Sequence, residues 1–573
     1  MRPLSRLAAL SVLLLNACYP AGDGKPPPLE ELYFPTGVAI DGQTTSDIDQ
    51  APKYLYVVNS DFDLQYRSAS LISYDLGELR KIVPKPCSKD EDCQDTTQIC
   101  DVPREGVATD VVPSYYCVDA TAPNPCTTGE RDEADRVLYP GRCNPIEPSA
   151  AGLKVDAVGI GAFATDVIWR KNPEANSEYS SRLFIPVRGD STLHWIDVRR
   201  DDARTRSEGQ LDCGQSGDDQ LCNAEHRSGD TPEDNYDALR LPPEPYALDA
   251  TSDGKYIAVT NQTSGSVSLF FNDWAGGPTL VSILGGLPLA PVGIAALPDH
   301  VYADGTPVFA DKDRPAPGFL VAYRSAAQID LLRVRDEQAD TGTSLTNYNR
   351  FALRRAGSVP INANSLGFDS RGIAIDGAQR QQDYDHCRET AGDCSTAADP
   401  AQCEASLTNC VRAVHQPGVY VASRAPASLL VGEMTADAAY PTGTSDLPSL
   451  TDSIALTFGP SRAIVGDIRV RGTASSAMID RAGPYELERR VFIVCFDSRR
   501  IFVYDPKRNA IDAIVSTGRG PYALAVDSER GLAYLGHFTD SYLGVISLDQ
   551  RFPQTYATII ASIGTPKAPR SSK

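Results

Sequence analysis

A chain of 573 residues is too long to fold around one simple core, so it is either several domains or a repeat array. Its formal net charge of −21 repels nucleic acid and anionic headgroups, and no basic patch compensates, which excludes nucleic acid as a partner. Most of the 14 cysteines fall in even clusters, the pattern of local disulfides in an oxidising compartment.

Residues 1–17 read as an export signal. Arg2 and Arg6 precede the apolar run Leu7 to Leu15, which is too short to span a bilayer as a stable helix. The next residues, Leu15-Asn16-Ala17-Cys18, resemble the bacterial lipobox, with an aliphatic residue at −3 and a small one at −1. Asn16 departs from the usual residue at −2. The resemblance implies a lipidated Cys18, and more than one acyl chain is enough for stable anchoring. Tyr19, in place of Asp at +2, implies delivery to the outer membrane of a Gram-negative cell envelope. Residues 18–33, with Gly22, Gly24 and Pro26 to Pro28, form a tether that cannot bury a core.

A unit of apolar, β-prone runs then recurs through residues 34–565. The clearest copy is Pro521-Tyr522-Ala523-Leu524-Ala525-Val526-Asp527, then Leu532 to Gly536, then Leu543 to Asp549. A second opens at Pro245-Tyr246-Ala247-Leu248-Asp249. Others open at Pro35, Ala164, Pro291 and Arg371, and the sixth has a degenerate first run around Ser475 to Ile479. A further run, such as Ala513 to Ser516, lies between units. Four strands per unit and seven units predict an all-β fold, a β-propeller of seven four-stranded blades. A pair of β-sandwiches is the alternative, and it does not account for the recurring Pro-x-x-ϕ-Ala phrase. That phrase reads as scaffold: Pro sets the strand entry, apolar residues pack between blades, and Asp closes the turn.

Val57-Val58-Asn59 and Val259-Thr260-Asn261 stand where the YVTN family of propeller repeats has Val-Thr-Asn. With the Pro-x-x-ϕ-Ala and ϕ-Ser-ϕ-ϕ-Asp runs, the chain resembles that family over most of residues 34–565.

Three polar segments interrupt the repeats. Residues 85–150 carry Cys87, Cys93, Cys100, Cys117, Cys126 and Cys143; residues 204–240 are acidic and hold Cys213 and Cys222; residues 377–417 hold Cys387, Cys394, Cys403 and Cys410. With few large apolar residues such segments need disulfides to keep a shape. The stretch from Ala397 to Ala413 is helix-prone. Cys495, inside an apolar run, reads as a buried free thiol. Long insertions belong on a propeller face, where binding surfaces are built.

The six histidines have no metal-ligand spacing, and neither His-Glu-x-x-His nor Gly-x-Ser-x-Gly occurs. Asp41, Asp249, Asp376 and Asp527 each close the first run of a unit. They are expected either to gather at one channel mouth and bind Ca²⁺, or to serve only as turn residues. No other cofactor is implied. The expected function is a lipid-anchored, non-catalytic module that binds an envelope protein or glycan. The family resemblance implies an alternative, an enzyme such as a lactonase or a quinoprotein-dehydrogenase-like subunit.

Overall fold

The computed structural model describes residues 25–42, 51–83, 85, 87, 89–93, 98–101, 116–119, 145–200, 209–217, 219–298, 317–338, 350–361, 368–412, 415–434, 447–473, 477–480, 482–553 and 555–566. Seven antiparallel sheets follow one another along the chain as the blades of a propeller. Their inner strands are Pro35–Ile40, Ile168–Lys171, Pro245–Ala250, Pro291–Ala296, Phe368–Asp376, Pro460–Arg471 and Pro521–Asp527. Blade seven shows the pattern: Pro521–Asp527, Leu532–His537, Tyr542–Ser547 and Thr558–Ile563 pair in sequence order. Its second and third strands are buried at every residue, because both sheet faces lie against neighbouring blades.

Among the described residues, seven apolar clusters each straddle one seam between adjacent blades. One joins Leu55, Val57 and Ile72 of blade one to Ala525, Leu532 and Tyr534 of blade seven, which closes the ring. A clasp reinforces this seam. Ile146, on the chain returning to blade one, donates its N–H to the Ser562 carbonyl and accepts from Gly564, each at 2.8 Å.

Each inner strand begins in the same way. A residue of positive φ stands at the opening of all seven: immediately before the strand at Phe34, Glu244, Ala290, Gly459 and Gly520, five residues before it at Phe163, and as the second strand residue at Asp369, between 48° and 89°. Five of these are not glycine, and each costs about 1–2 kcal/mol. The ladder then slips by a residue or two just after the strand opens, leaving out Thr36, Tyr246, Val292, Arg371, Ser461 and Tyr522. Such bulges re-aim side chains.

Two expectations need correction. The inner strand of blade six is Pro460–Arg471, not the run around Ser475 to Ile479. Met478–Asp480 forms only a short edge on the long partner strand Gly483–Cys495. Residues 204–240 are not purely an insertion. They supply the outer strand of blade two in two fragments, Leu211–Asp212 and Arg227–Ser228, both paired to Thr192–Arg199.

Disulfides join Cys87 to Cys100, Cys93 to Cys117, Cys213 to Cys222, Cys387 to Cys410 and Cys394 to Cys403. Cys18, Cys126 and Cys143 lie outside the described residues. Two bridges tie helix Ala378–Ala391 and the turn after it to helix Pro400–Arg412, a stapled hairpin that includes the helix-prone stretch. Cys495 is free and fully buried, and burial pushes its thiol up to about 12. Iodoacetamide is therefore expected to leave Cys495 unmodified in the native chain and to alkylate it after denaturation without reduction, as read by mass spectrometry. Native labelling would contradict this packing.

Strand alternation gives the ring two faces. One carries the connections from first to second and from third to fourth strands. Residues 85–150 follow the third strand of blade one, 204–240 the third of blade two, and 377–417 the first of blade five. The first and third segments therefore leave from this insertion face, whereas the second crosses blade two through Leu211–Asp212 and Arg227–Ser228 and reaches the other face before blade three. The opposite face carries the connections from second to third strands and from blade to blade, many of them tight, and is called the turn face below.

Candidate functional site

The inner strands line the central channel, and their bulged starts lie at its turn-face end. There, side chains meet across the ring. The Tyr246 and Tyr522 hydroxyls, from blades three and seven, are 3.0 Å apart. Arg462 of blade six donates to the Asp166 carboxylate of blade two at 2.9 Å. The same guanidinium lies 4.7 Å over the Tyr522 ring. Thr165 donates to the Tyr246 carbonyl at 2.6 Å. Four blades are thus cross-braced through the channel.

Local backbone geometry explains why these residues and not others reach the channel. The third residue after the positive-φ residue is Gly or Ala in five blades: Gly37, Ala247, Gly293, Gly372 and Ala523. At Gly372 an added Cβ would stand 2.6 Å from the Arg462 Cα. The two large exceptions are Asp166 and Arg462, and they pair with each other. Burial raises the Asp166 carboxyl above the ordinary range despite Arg462. Burial also opposes the Arg462 charge, but Asp166 and the nearby phenols outweigh it and hold the guanidinium protonated. At this end aromatic rings of blades one, two and seven form a partial collar on one side of the mouth. Phe538 lies 5.2 Å from both Phe34 and Phe62 and 6.2 Å from Tyr522, centroid to centroid, and Phe163 packs edge-on to Phe62 at 5.9 Å.

The insertion-face end holds the four aspartates singled out from the sequence, each in its own local setting. Asp41 accepts the N–H groups of Lys53 and Tyr54, both at 2.7 Å, and burial pushes its carboxyl up to about 6. Asp249 pairs with Arg170 at 2.6 Å and accepts the Ala296 N–H at 2.8 Å. Asp376 faces Arg489 at 3.4 Å and accepts the Ala378 N–H at 3.1 Å, capping the stapled hairpin. Asp527 pairs with Arg530 at 3.1 Å and accepts from the Tyr534 hydroxyl at 3.2 Å. Asp467 is the unanticipated member of the set, and it shares Arg489 at 3.2 Å. Among the described residues, one group of three metal-ligating side chains comes within mutual reach: Cys87, Cys93 and Cys117, whose sulfurs are in disulfides.

Reasoning from sequence missed Asp166, Arg462 and the roles of Tyr246 and Tyr522. A signal was present: a large polar or aromatic residue one or two places after the Pro, or in blade two Ala164, that opens the repeat, where most other blades have small ones.

The fold and channel define the protein as a seven-bladed propeller with cross-ring side-chain bracing. No protein-family model matches the chain, and no curated protein matches its sequence. Among solved structures it is similar to a protein from Lactobacillus plantarum, with 12% identity over 85% of this chain and 86% of that one and a TM-score of 0.36. It is also similar to a functionally unknown protein from Desulfotomaculum acetoxidans, with 12% identity over 73% and 93% and a TM-score of 0.36. A third is the periplasmic gluconolactonase of Pseudomonas aeruginosa, with 12% identity over 70% and 97% and a TM-score of 0.34. Likeness this remote does not bear on activity.

Proposed function

We propose that the chain is an exported, lipid-anchored envelope protein that binds a protein or glycan through its insertion face and catalyses no reaction on it. The observation that supports this most is the common exit of two disulfide-bearing segments, residues 85–150 and 377–417, from one end of the ring. Loops held by disulfides on a rigid scaffold lose little freedom when they bind, so more of the contact energy appears as affinity. Fourteen- and thirteen-residue helices tied by two bridges make such a pre-ordered surface.

The helical hairpin is the part to remove. Asp376 pairs directly with Gly418, so a short Gly-Ser turn can replace residues 378–416 without shifting the ladder of blade five. The full chain and this variant, both tagged, are cross-linked in the envelope of the parent cell. The variant is expected to keep wild-type far-UV circular dichroism and to lose about ten-fold or more of the enriched partner, a loss of about 1.4 kcal/mol or more. Undiminished enrichment would sink the reading. So would lactone hydrolysis by the full chain that disappears in a folded Asp527→Asn variant.

A further inference from the structure

We infer that the turn face of the ring docks on a lipid bilayer, so that the insertion face points away from the membrane. The delivery of the chain to that membrane rests on the proposed anchor at Cys18; the docking surface rests on the side chains themselves.

Among the described residues, the exposed large apolar side chains are unevenly placed. Phe62, Leu64, Tyr236, Leu289 and Phe458, in connecting loops, and Phe368, at the start of the blade-five inner strand, all stand at the turn-face end, at five different positions around the ring. Phe458 is 68% exposed, Leu289 61% and Phe62 51%. These side chains mark the turn-face end of the ring at five positions as an apolar rim beside the aromatic collar. A rim of this kind is more than scattered surface hydrophobes. On the insertion face, Ile82 ends a short helix and Met478 and Ile479 sit together on the blade-six hairpin, so they make no comparable rim.

The path of the chain points to the same face. Lys25 accepts the Arg67 N–H at 3.0 Å and bridges to Tyr66, in the very loop that carries Phe62 and Leu64. The chain therefore enters the ring on the turn face. Cys18 lies seven residues earlier in the sequence. Seven residues reach at most ~25 Å fully extended, so an acylated Cys18 would hold this face, and not the other, beside the headgroups.

Charge is offset over part of this face. The chain is strongly acidic, and exposed Asp63 flanks Phe62 while Glu233, Asp234 and Asp237 flank Tyr236, but four other acids of the turn face stand beside arginines. Arg67 pairs with Asp219 at 2.6 Å, Arg188 with Glu244 at 2.7 Å, and Arg519 with Asp540 at 2.9 Å. Arg424 likewise pairs with Asp497. Repulsion from an anionic leaflet is reduced at those four sites and is screened further by salt.

The test places tryptophan reporters on the full chain in vesicles of phosphatidylethanolamine and phosphatidylglycerol with brominated acyl chains. Phe62→Trp and Phe458→Trp report the turn face; Ile82→Trp and Ile479→Trp report the insertion face. All four sites are exposed, so the substitutions leave the core untouched. Reporters that enter ~5–10 Å into the interface are expected to lose about half their emission relative to unbrominated vesicles, and the insertion-face pair to lose none. Equal quenching of both pairs, or none at positions 62 and 458, overturns the proposal and leaves the rim as a site for a soluble apolar ligand or a protein. The anchor is read separately. Incorporation of radioactive fatty acid should vanish in Cys18→Ser. Labelling without turn-face quenching refutes the docking face alone, whereas turn-face quenching without labelling refutes the anchor alone.

Discussion

Replacing Arg182 by Met is expected to destabilise the ring by about 3–5 kcal/mol, the cost of breaking a buried ion pair from one side. Arg182 is 1% exposed. Its guanidinium donates to both carboxylate oxygens of Asp197, at 2.7 and 3.1 Å, within blade two. It also donates to the Asn272 side chain at 2.7 Å and to the carbonyls of Asp273 and Trp274 at 3.0 and 3.1 Å, all in blade three. Trp195 and Trp274 flank it at 4.2 and 5.3 Å. One side chain therefore fastens two blades, and its donors are matched in a way that Lys could not copy. Burial already lifts the Asp197 carboxyl above its ordinary range with Arg182 in place. Without Arg182 that carboxylate is left uncompensated, and two carbonyls and an amide lose their donor. Urea unfolding followed by tryptophan emission measures the loss, since two of the three tryptophans touch the guanidinium. Pairing Arg182→Met with Asp197→Leu is expected to recover most of it, because the stranded charge goes too. A single variant within about 1 kcal/mol of wild type would show that the bracket is not holding the blades.

Acid is expected to act through His537. Its ring is fully buried and stacks on Tyr542 at 4.0 Å with 6° between planes. Nε2 accepts the Gly518 N–H at 3.2 Å, so the neutral ring carries its proton on Nδ1. Burial lowers its pKa from 6.5 to about 3. Between these values the unfolded chain binds the proton and the folded chain does not. Stability from this group is thus fully present above pH 6.5 and is lost as pH falls, by about 1.4 kcal/mol per unit. Asp41 works the other way. Its folded value of about 6 exceeds the unfolded 3.8, so its contribution is full below 3.8 and fades as pH rises through 6. The two must be separated, and the fold supplies the control. His537 pairs with Pro521 as Asn59 pairs with Pro35 and Asn261 with Pro245. His537→Asn therefore keeps a polar acceptor of native type and removes the titration. The stability of wild type relative to this variant is expected to fall by about 2 kcal/mol from pH 6.5 to about pH 4.5. A flat difference would refute the buried neutral histidine.

The fold was largely legible because blades need β-prone apolar runs of strand length, and runs such as Tyr54–Asn59 and Leu532–His537 recur with turn residues between them. The inner strand of blade six escaped because it carries Arg462 and Asp467, which break the apolar pattern at the points where they face the channel. The outer strand of blade two escaped because a disulfide loop divides it between two short fragments. Cys495 is more readily understood from the structure than from its apolar run. It pairs with Pro460, so it stands in the slot that Asn59, Asn261 and His537 occupy elsewhere. The channel cluster was least legible. Its contacts join residues 276 and 296 apart, and a sequence displays the residue types without saying which blades face one another. Tyr246 and Tyr522 sit in the repeated phrase itself and read there as packing. The bulge that turns them inward depends on a left-handed residue before the strand, and Glu244 in that position gives no such sign.

The clasp between Ile146 and the last strand also sets an order of events. The segment that leads into the outer strand of the first blade is bonded to the last strand of the seventh, so this segment cannot be fixed in place until the seventh blade exists. Local hairpins can form as the chain emerges, but ring completion waits for a contact of nearly the greatest sequence separation that the propeller allows. Loop-closure entropy makes such steps slow. Until then, the apolar surfaces of blades one and seven stay uncovered and open to pairing with another chain. The rate of refolding should therefore be governed by this one seam, however quickly the individual blades assemble.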